Sequence, residues 1–270
     1  MTTLGGRAVW LAVVWAAAGY GVVSVCSVGA QPPPPPPDQR PARDRAPIDL
    51  TGQWVAVITE DWRWRMVTPP VGDSASIPLN PKGVAATKAW NFEKDRAEGG
   101  FCKAYGPPGV IRQPTRLRID WQDADTLRLQ FDAGNQTRVL HFAPQAARTR
   151  TLQGDSTAKW ARQTQSRGVF AADTPKSGGS LQVLTTNMTA GYLRPNGVPY
   201  GENATVKEYF NTFTSTDVGT WLIVTTVVVD PDYLTTDLIM STQFKKEPNR
   251  SHWNPRACDI APPLVEATRR

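Results

Sequence analysis

Histidine is the scarcest of the residues that carry chemistry. The 270 residues hold two, His141 and His252, so a site built on three imidazoles is excluded. Cysteine is nearly as rare, with three in the chain. Runs of like charge are missing too. Thirty Lys and Arg are scattered among 24 Asp and Glu, for a net charge of +6. Nucleic-acid binding needs a concentrated basic face, so no nucleic-acid partner is expected. There is no Gly-x-Ser-x-Gly elbow, no glycine-rich phosphate loop and no dinucleotide fingerprint. "GDS" occurs at 72–74 and 154–156, without an Asp-x-x-His to accompany it. No loop has EF-hand spacing. These absences leave neither a cofactor nor a metal to expect. Carboxylates, arginines, tyrosines and tryptophans remain as the candidate chemistry.

The first 30 residues read as a secretory signal. Arg7 starts an uncharged apolar run, "AVWLAVVWAAAGYGVVSV" (8–25), and "SVGA" (27–30) supplies small residues before Gln31. The run is also about long enough to span a bilayer, so a retained anchor is the alternative. A lipoprotein reading would use Cys26, but Val25 stands where a small residue is needed. With the signal cleaved, the net charge falls to +5, because Arg7 is the one charged residue removed. The expected location is periplasmic or secreted, in a bacterium, with no stable membrane insertion after cleavage. "QPPPPPPDQRPARDRAP" (31–47) follows as an extended Pro-rich spacer. Cys102 and Cys258 remain, and an even pair in an exported chain suggests a disulfide. Two free buried thiols are the alternative.

Residues 48–270 suffice for one core. Alternating and apolar runs recur between turn signals: 52–60, 115–121, 126–132, 136–142, 158–163, 180–188, 204–214, 220–230 and 238–246. In "TRLRIDW", Leu117, Ile119 and Trp121 alternate with Arg116, Arg118 and Asp120. Helix signals are confined to "NPKGVAATKAW" (80–90), where Asn80 suits an N-cap and Pro81 the first helical position. The expected fold is mainly β: an antiparallel meander barrel of eight to nine strands, with a long helix-containing insertion at 61–113. A curved sandwich is the alternative, but closure removes exposed edges.

"DLTGQWV" (49–55) resembles the first-strand signature of lipocalin-like barrels, with Gly52 and Trp54 in its Gly-x-Trp positions. "DPDYLT" (230–235) is a looser echo of a second lipocalin signature, at Asp232 and Tyr233. That resemblance implies a basic residue on the last strand, Lys245 or Lys246. Over most of 49–258 the chain is also similar to a family of secreted bacterial proteins of unknown function. The shared segments are "LTGQWVAVITEDWRWRMVTPP", "CKAYG", "GYLRPNGVPYGENATVKEYF", "DPDYL", "FKKE" and "HWNP" with Cys258. This resemblance implies no activity.

Two stretches are dense in polar and aromatic residues. "EDWRWRM" (60–66), read as an extended strand end, puts Glu60, Trp62 and Trp64 on one face and Asp61, Arg63 and Arg65 on the other. A carboxyl beside two indoles suits a general acid or base, which makes Glu60 and Asp61 the catalytic candidates. Arg63 or Arg65 would instead grip an anion. Surface ion pairs with packed indoles are the third possibility. "GYLRPNGVPYGEN" (191–203) is a structured loop that projects Tyr192, Arg194 and Tyr200, with Glu208 on the next strand. Asp132 and Arg138 are expected to pair across a hairpin. The leading expectation is a barrel holding a small, partly apolar ligand, acidic in one variant, with its mouth shaped by 61–113 and 191–203. A metal-free acid/base enzyme (isomerase, cyclase or hydrolase) and a structural envelope protein are the alternatives. The sequence is silent on oligomeric state.

Overall fold

The computed structural model describes residues 38–146, 148–162 and 178–265. The signal segment 1–30 and the prolines at 32–37 lie outside them. Nine strands among the described residues close into a barrel. They are β1 (Gly52–Val57), β2 (Arg116–Trp121), β3 (Thr126–Phe131), β4 (Gln136–His141), β5 (Asp155–Arg162), β6 (Gly179–Thr186), β9 (Thr205–Ser215), β10 (Gly219–Val229) and β11 (Leu238–Lys246). A separate hairpin, β7 (Gly191–Arg194) and β8 (Val198–Tyr200), is looped out between β6 and β9. Around the ring the order is β1-β11-β10-β9-β6-β5-β4-β3-β2, so the chain meanders with β1 closing against both β2 and β11.

One feature departs from the expected all-antiparallel meander. β4 and β5 run parallel, through Leu140 with Ser156 and His141 with Thr157. Strand number explains why. Antiparallel neighbours alternate direction, and a closed ring of nine cannot alternate throughout, so at least one pair must be parallel.

Alternation along each strand fills the interior. Trp54, Ile119, Leu129, Phe210, Leu222 and Phe244 are all fully buried in the lower cluster. Met188, Val206, Val228 and Leu238 form an upper cluster with Leu193 and Tyr200 of the β7–β8 hairpin. Glu208, Thr185, Thr226, Thr242, Ser156 and Arg138 are also buried on the strands. Arg138 donates to both carboxylate oxygens of Glu208, at 2.9 and 2.5 Å, and to the Thr185 hydroxyl at 3.1 Å. The anticipated Asp132–Arg138 pair does not form. Asp132 instead accepts from the Thr115 hydroxyl and the Arg116 amide.

The Gly-x-Trp element closes the lower end. Trp54 is fully buried and donates from its indole to the Leu50 carbonyl, 3.0 Å away. Of the two candidate lysines, Lys246 lies over this indole, at 5.3 Å. Gly52 has φ +126°, and a β-carbon there would meet the Lys246 side chain at 2.9 Å. Asp232 and Tyr233 lie after β10, at the opposite end of the strands. Tyr233 packs there against Lys82. The end of the Pro-rich stretch is packed rather than free: Ala42 is buried and its carbonyl accepts from Trp160 at 2.8 Å.

Between β1 and β2 the insertion carries short helices. α1 spans Trp62–Arg65, α2 Pro81–Ala89, α3 Phe92–Ala97 and α4 Pro107–Val110. α2 matches the expectation from 80–90, with the Asn80 side chain accepting from the Gly83 amide at 2.9 Å. Cys102 and Cys258 form a disulfide, their Cα atoms 5.1 Å apart, which ties the insertion to the C-terminal segment. That segment is further held by the Tyr105 hydroxyl, which donates to the Asp259 carbonyl at 2.6 Å. No helix among the described residues is long and apolar enough to cross a membrane.

Candidate functional site

The stretch 60–66 is not a strand end. β1 stops at Val57, and Asp61 takes a left-handed conformation (φ 52°, ψ 26°) that turns the chain into α1. The Asp61 carbonyl then accepts from the Trp64 and Arg65 amides, at 2.8 and 3.1 Å. Winding replaces the two-faced alternation. Arg65 is buried, while Trp62 and Met66 are exposed. Glu60 therefore faces guanidinium groups rather than indoles. It accepts from Arg65 and from Arg112, the latter at 3.2 Å. Arg112 also donates to Asp61 at 2.6 Å and to the Ser241 carbonyl at 2.7 Å. Arg65 donates through Nε to the Arg112 carbonyl, 2.9 Å away. Two arginines and two carboxylates thus lock the start of the insertion onto the barrel's upper rim.

The second stretch supplies the facing wall. Asn196, fully buried, donates to the carbonyls of Pro70 and Asp73 at 2.9 and 2.8 Å, which pins the β7–β8 turn to the insertion. Gly197 (φ +78°) lies so close to Trp90 that a β-carbon would come within 2.1 Å of the indole. The turn aims Arg194 at α1. Its guanidinium lies 4.5 Å from the Trp64 ring centre and donates to the Ala75 carbonyl at 2.7 Å. Arg63 also lies over Trp64, at 4.8 Å. The Trp64 indole donates to Asp73 at 3.1 Å, so the ring is fixed.

Between these walls is a cavity of about 210 Å³. Asp61, Trp64, Arg65, Arg112 and Arg194 are among its polar lining residues, and Ile77, Leu193, Leu238 and Met240 among its apolar ones. The Arg65 side chain is 2 % exposed. Arg65 Nη2 and Arg194 Nη1 are buried without a hydrogen-bond partner among the described residues. Burial pulls both guanidiniums down to about 10, and the neighbouring charge of Arg112 adds to the effect on each. Both stay charged near neutral pH. Three guanidiniums around one cavity favour an anionic occupant.

The remaining candidates fall elsewhere. Trp62 and Arg63 line a separate exposed groove with Val67, Val71 and Leu264. Tyr192 donates to Asp95 at 3.0 Å and packs edge-on against Trp90. Tyr200 is fully buried against Gly106 and Gly191, and burial pushes its phenol pKa up. Glu208 is inside the barrel with Arg138. Sequence reasoning missed Arg112 and Ser241 at the rim, and it gave Arg138 a hairpin partner, Asp132, where the core gives it Glu208. The signal for Arg138 was available, since it shares the apolar phase of Leu140 and Phe142. Among the described residues no group of three or more His, Cys, Asp and Glu side chains comes together to hold a metal.

The fold and the site together define a closed mixed β-barrel with a small arginine-lined pocket at its rim. Comparison of the chain with protein-family models, with curated proteins and with solved structures gives no match.

Proposed function

We propose that this chain is an exported binding protein whose rim pocket takes a small, partly apolar acid. The carrying observation is the set of three guanidiniums, Arg65, Arg112 and Arg194, lining one cavity that Leu193, Leu238 and Met240 also line. A carboxylate would pair with these guanidiniums while its hydrocarbon part covers Leu193, Leu238 and Met240. The Cys102–Cys258 disulfide supports export, since such bonds persist in oxidising compartments. The acid/base alternative has less support, because Glu60 and Asp61 are each engaged by arginine. A ligand along the barrel axis is also less favoured, since the inward side chains are packed.

Calorimetric titration with hexanoate and phenylacetate tests the reading, with hexanol as the uncharged control. The acids should bind and hexanol should not. Arg194→Gln, which leaves the barrel strands untouched, should weaken the acids at least about tenfold, near 1.4 kcal/mol. Equal binding of hexanol, or of the acids to the folded variant, would overturn the reading.

A further inference from the structure

The wall of the pocket formed by β11 has an unpaired edge. β11 pairs with β10 from Leu238 to Lys245, but β1 covers only Gln243 to Lys246, because β1 ends at Val57. Above that point the edge of β11 faces the cavity, where Leu238, Ile239, Met240 and Ser241 all contribute to the lining. The orientation of its backbone groups follows from one contact. The Ser241 carbonyl points away from β10, since it accepts from Arg112 over the end of β1. In an antiparallel strand alternate residues direct N–H and C=O to the same side, so Ile239 shares that orientation. The Ile239 N–H and C=O and the Ser241 N–H have no backbone partner among the described residues. The edge therefore offers two donors and one acceptor at the repeat of a β-ladder. Arg65, Arg112 and Arg194 line the same cavity.

This inference rests on the acid-binding reading and narrows its ligand. We infer that the natural acid is peptide-like: a short extended chain ending in a free α-carboxylate. Its amide groups add to the edge of β11 in line with β1, and its carboxylate goes to Arg65 and Arg194. Strand addition gives affinity through main-chain hydrogen bonds, while a carboxylate clamp fixes which end of the peptide enters. An aliphatic acid would satisfy the arginines but leave the edge groups unmatched. The cavity, about 210 Å³, falls below the roughly 300 Å³ at which drug-sized pockets begin. That size favours one or two residues at a chain end over an internal segment of a protein. The apolar wall of Leu193, Leu238 and Met240 favours a small aliphatic side chain.

The test is titration of the full-length mature protein with four probes: N-acetyl-Ala-Ala as the free acid, its C-terminal amide, its N-methylated analogue and hexanoate. The free acid should bind tightest, and amidation and N-methylation should each weaken it at least tenfold. Ile239→Pro removes an N–H that faces the gap and not β10, so the strand can keep its place in the sheet. That variant should lose the preference for N-acetyl-Ala-Ala over hexanoate while still binding hexanoate. If hexanoate and the N-methylated peptide match the free acid, the peptide inference fails and the acid-binding reading stands. If the amide matches the free acid, the arginine clamp fails and both fall. If no probe binds, both fall as well.

Discussion

Arg138 and Glu208, 70 residues apart in sequence, meet as a two-point ion pair with neither side chain exposed. Arg138 comes from β4 and Glu208 from β9, with β5 and β6 between them in the ring. The pair therefore crosses the barrel interior and does not follow a ladder. Removing one partner leaves the other charge buried, which costs about 3–5 kcal/mol. Glu208→Gln and Arg138→Met should each lower urea-unfolding stability by about that much. The double variant Arg138→Met with Glu208→Leu should recover most of the loss. A double variant no better than the singles would mean that the pair is not what stabilises this layer.

The disulfide closes a span of 156 residues and holds the C-terminal segment against the insertion. Cys102→Ser combined with Cys258→Ser should cost about 4 kcal/mol, measured by denaturant unfolding. Because Tyr105 and Ile260 flank the same junction, protease cleavage should begin in the C-terminal segment of the variant.

Acid binding should depend on pH in a defined direction. Arg65 and Arg194 are held near 10 by burial, below the ordinary guanidinium value. Under the acid-binding proposal each would hold an anion only when protonated. Affinity for hexanoate should be level across about pH 6–8 and fall as pH rises through about 10. Titrations at pH 7 and pH 10.5 on protein shown to be folded would check this. A rise in affinity toward high pH would contradict the clamp.

Gly197 links packing to the pocket. Its positive φ and its closeness to Trp90 leave no room for a β-carbon. Gly197→Ala should cost about 1–3 kcal/mol and displace the turn that aims Arg194. Hexanoate affinity should fall in step, although residue 197 does not line the cavity.

The barrel was legible because its strands are half-buried and alternate. Leu117 and Ile119 against Arg116 and Arg118 mark a half-buried strand, and the removal of exposed edges favours closure over a curved sandwich. α2 was legible from Asn80 and Pro81. The start of α1 was not. Seven residues of mixed polarity fit a period of 2 and a period of 3.6 about equally. The deciding event is the left-handed Asp61, whose carboxylate is held by Arg112, 51 residues downstream. The pocket's place was half legible: 61–113 and 191–203 do meet there and bring Arg65 to Arg194. Tyr192, Tyr200 and Glu208 were singled out by residue type, yet each is used for packing or charge pairing in the fold.

An even ring of antiparallel strands has neighbours that all meet in the same sense. The nine-stranded ring has one gap unlike the rest. There β4 meets β5 in parallel through two residue pairs, while every other adjacent pair in the ring is antiparallel and shares at least four. The odd count thus leaves one short stitch in an otherwise continuous cylinder, and that gap is where the sheet should open first.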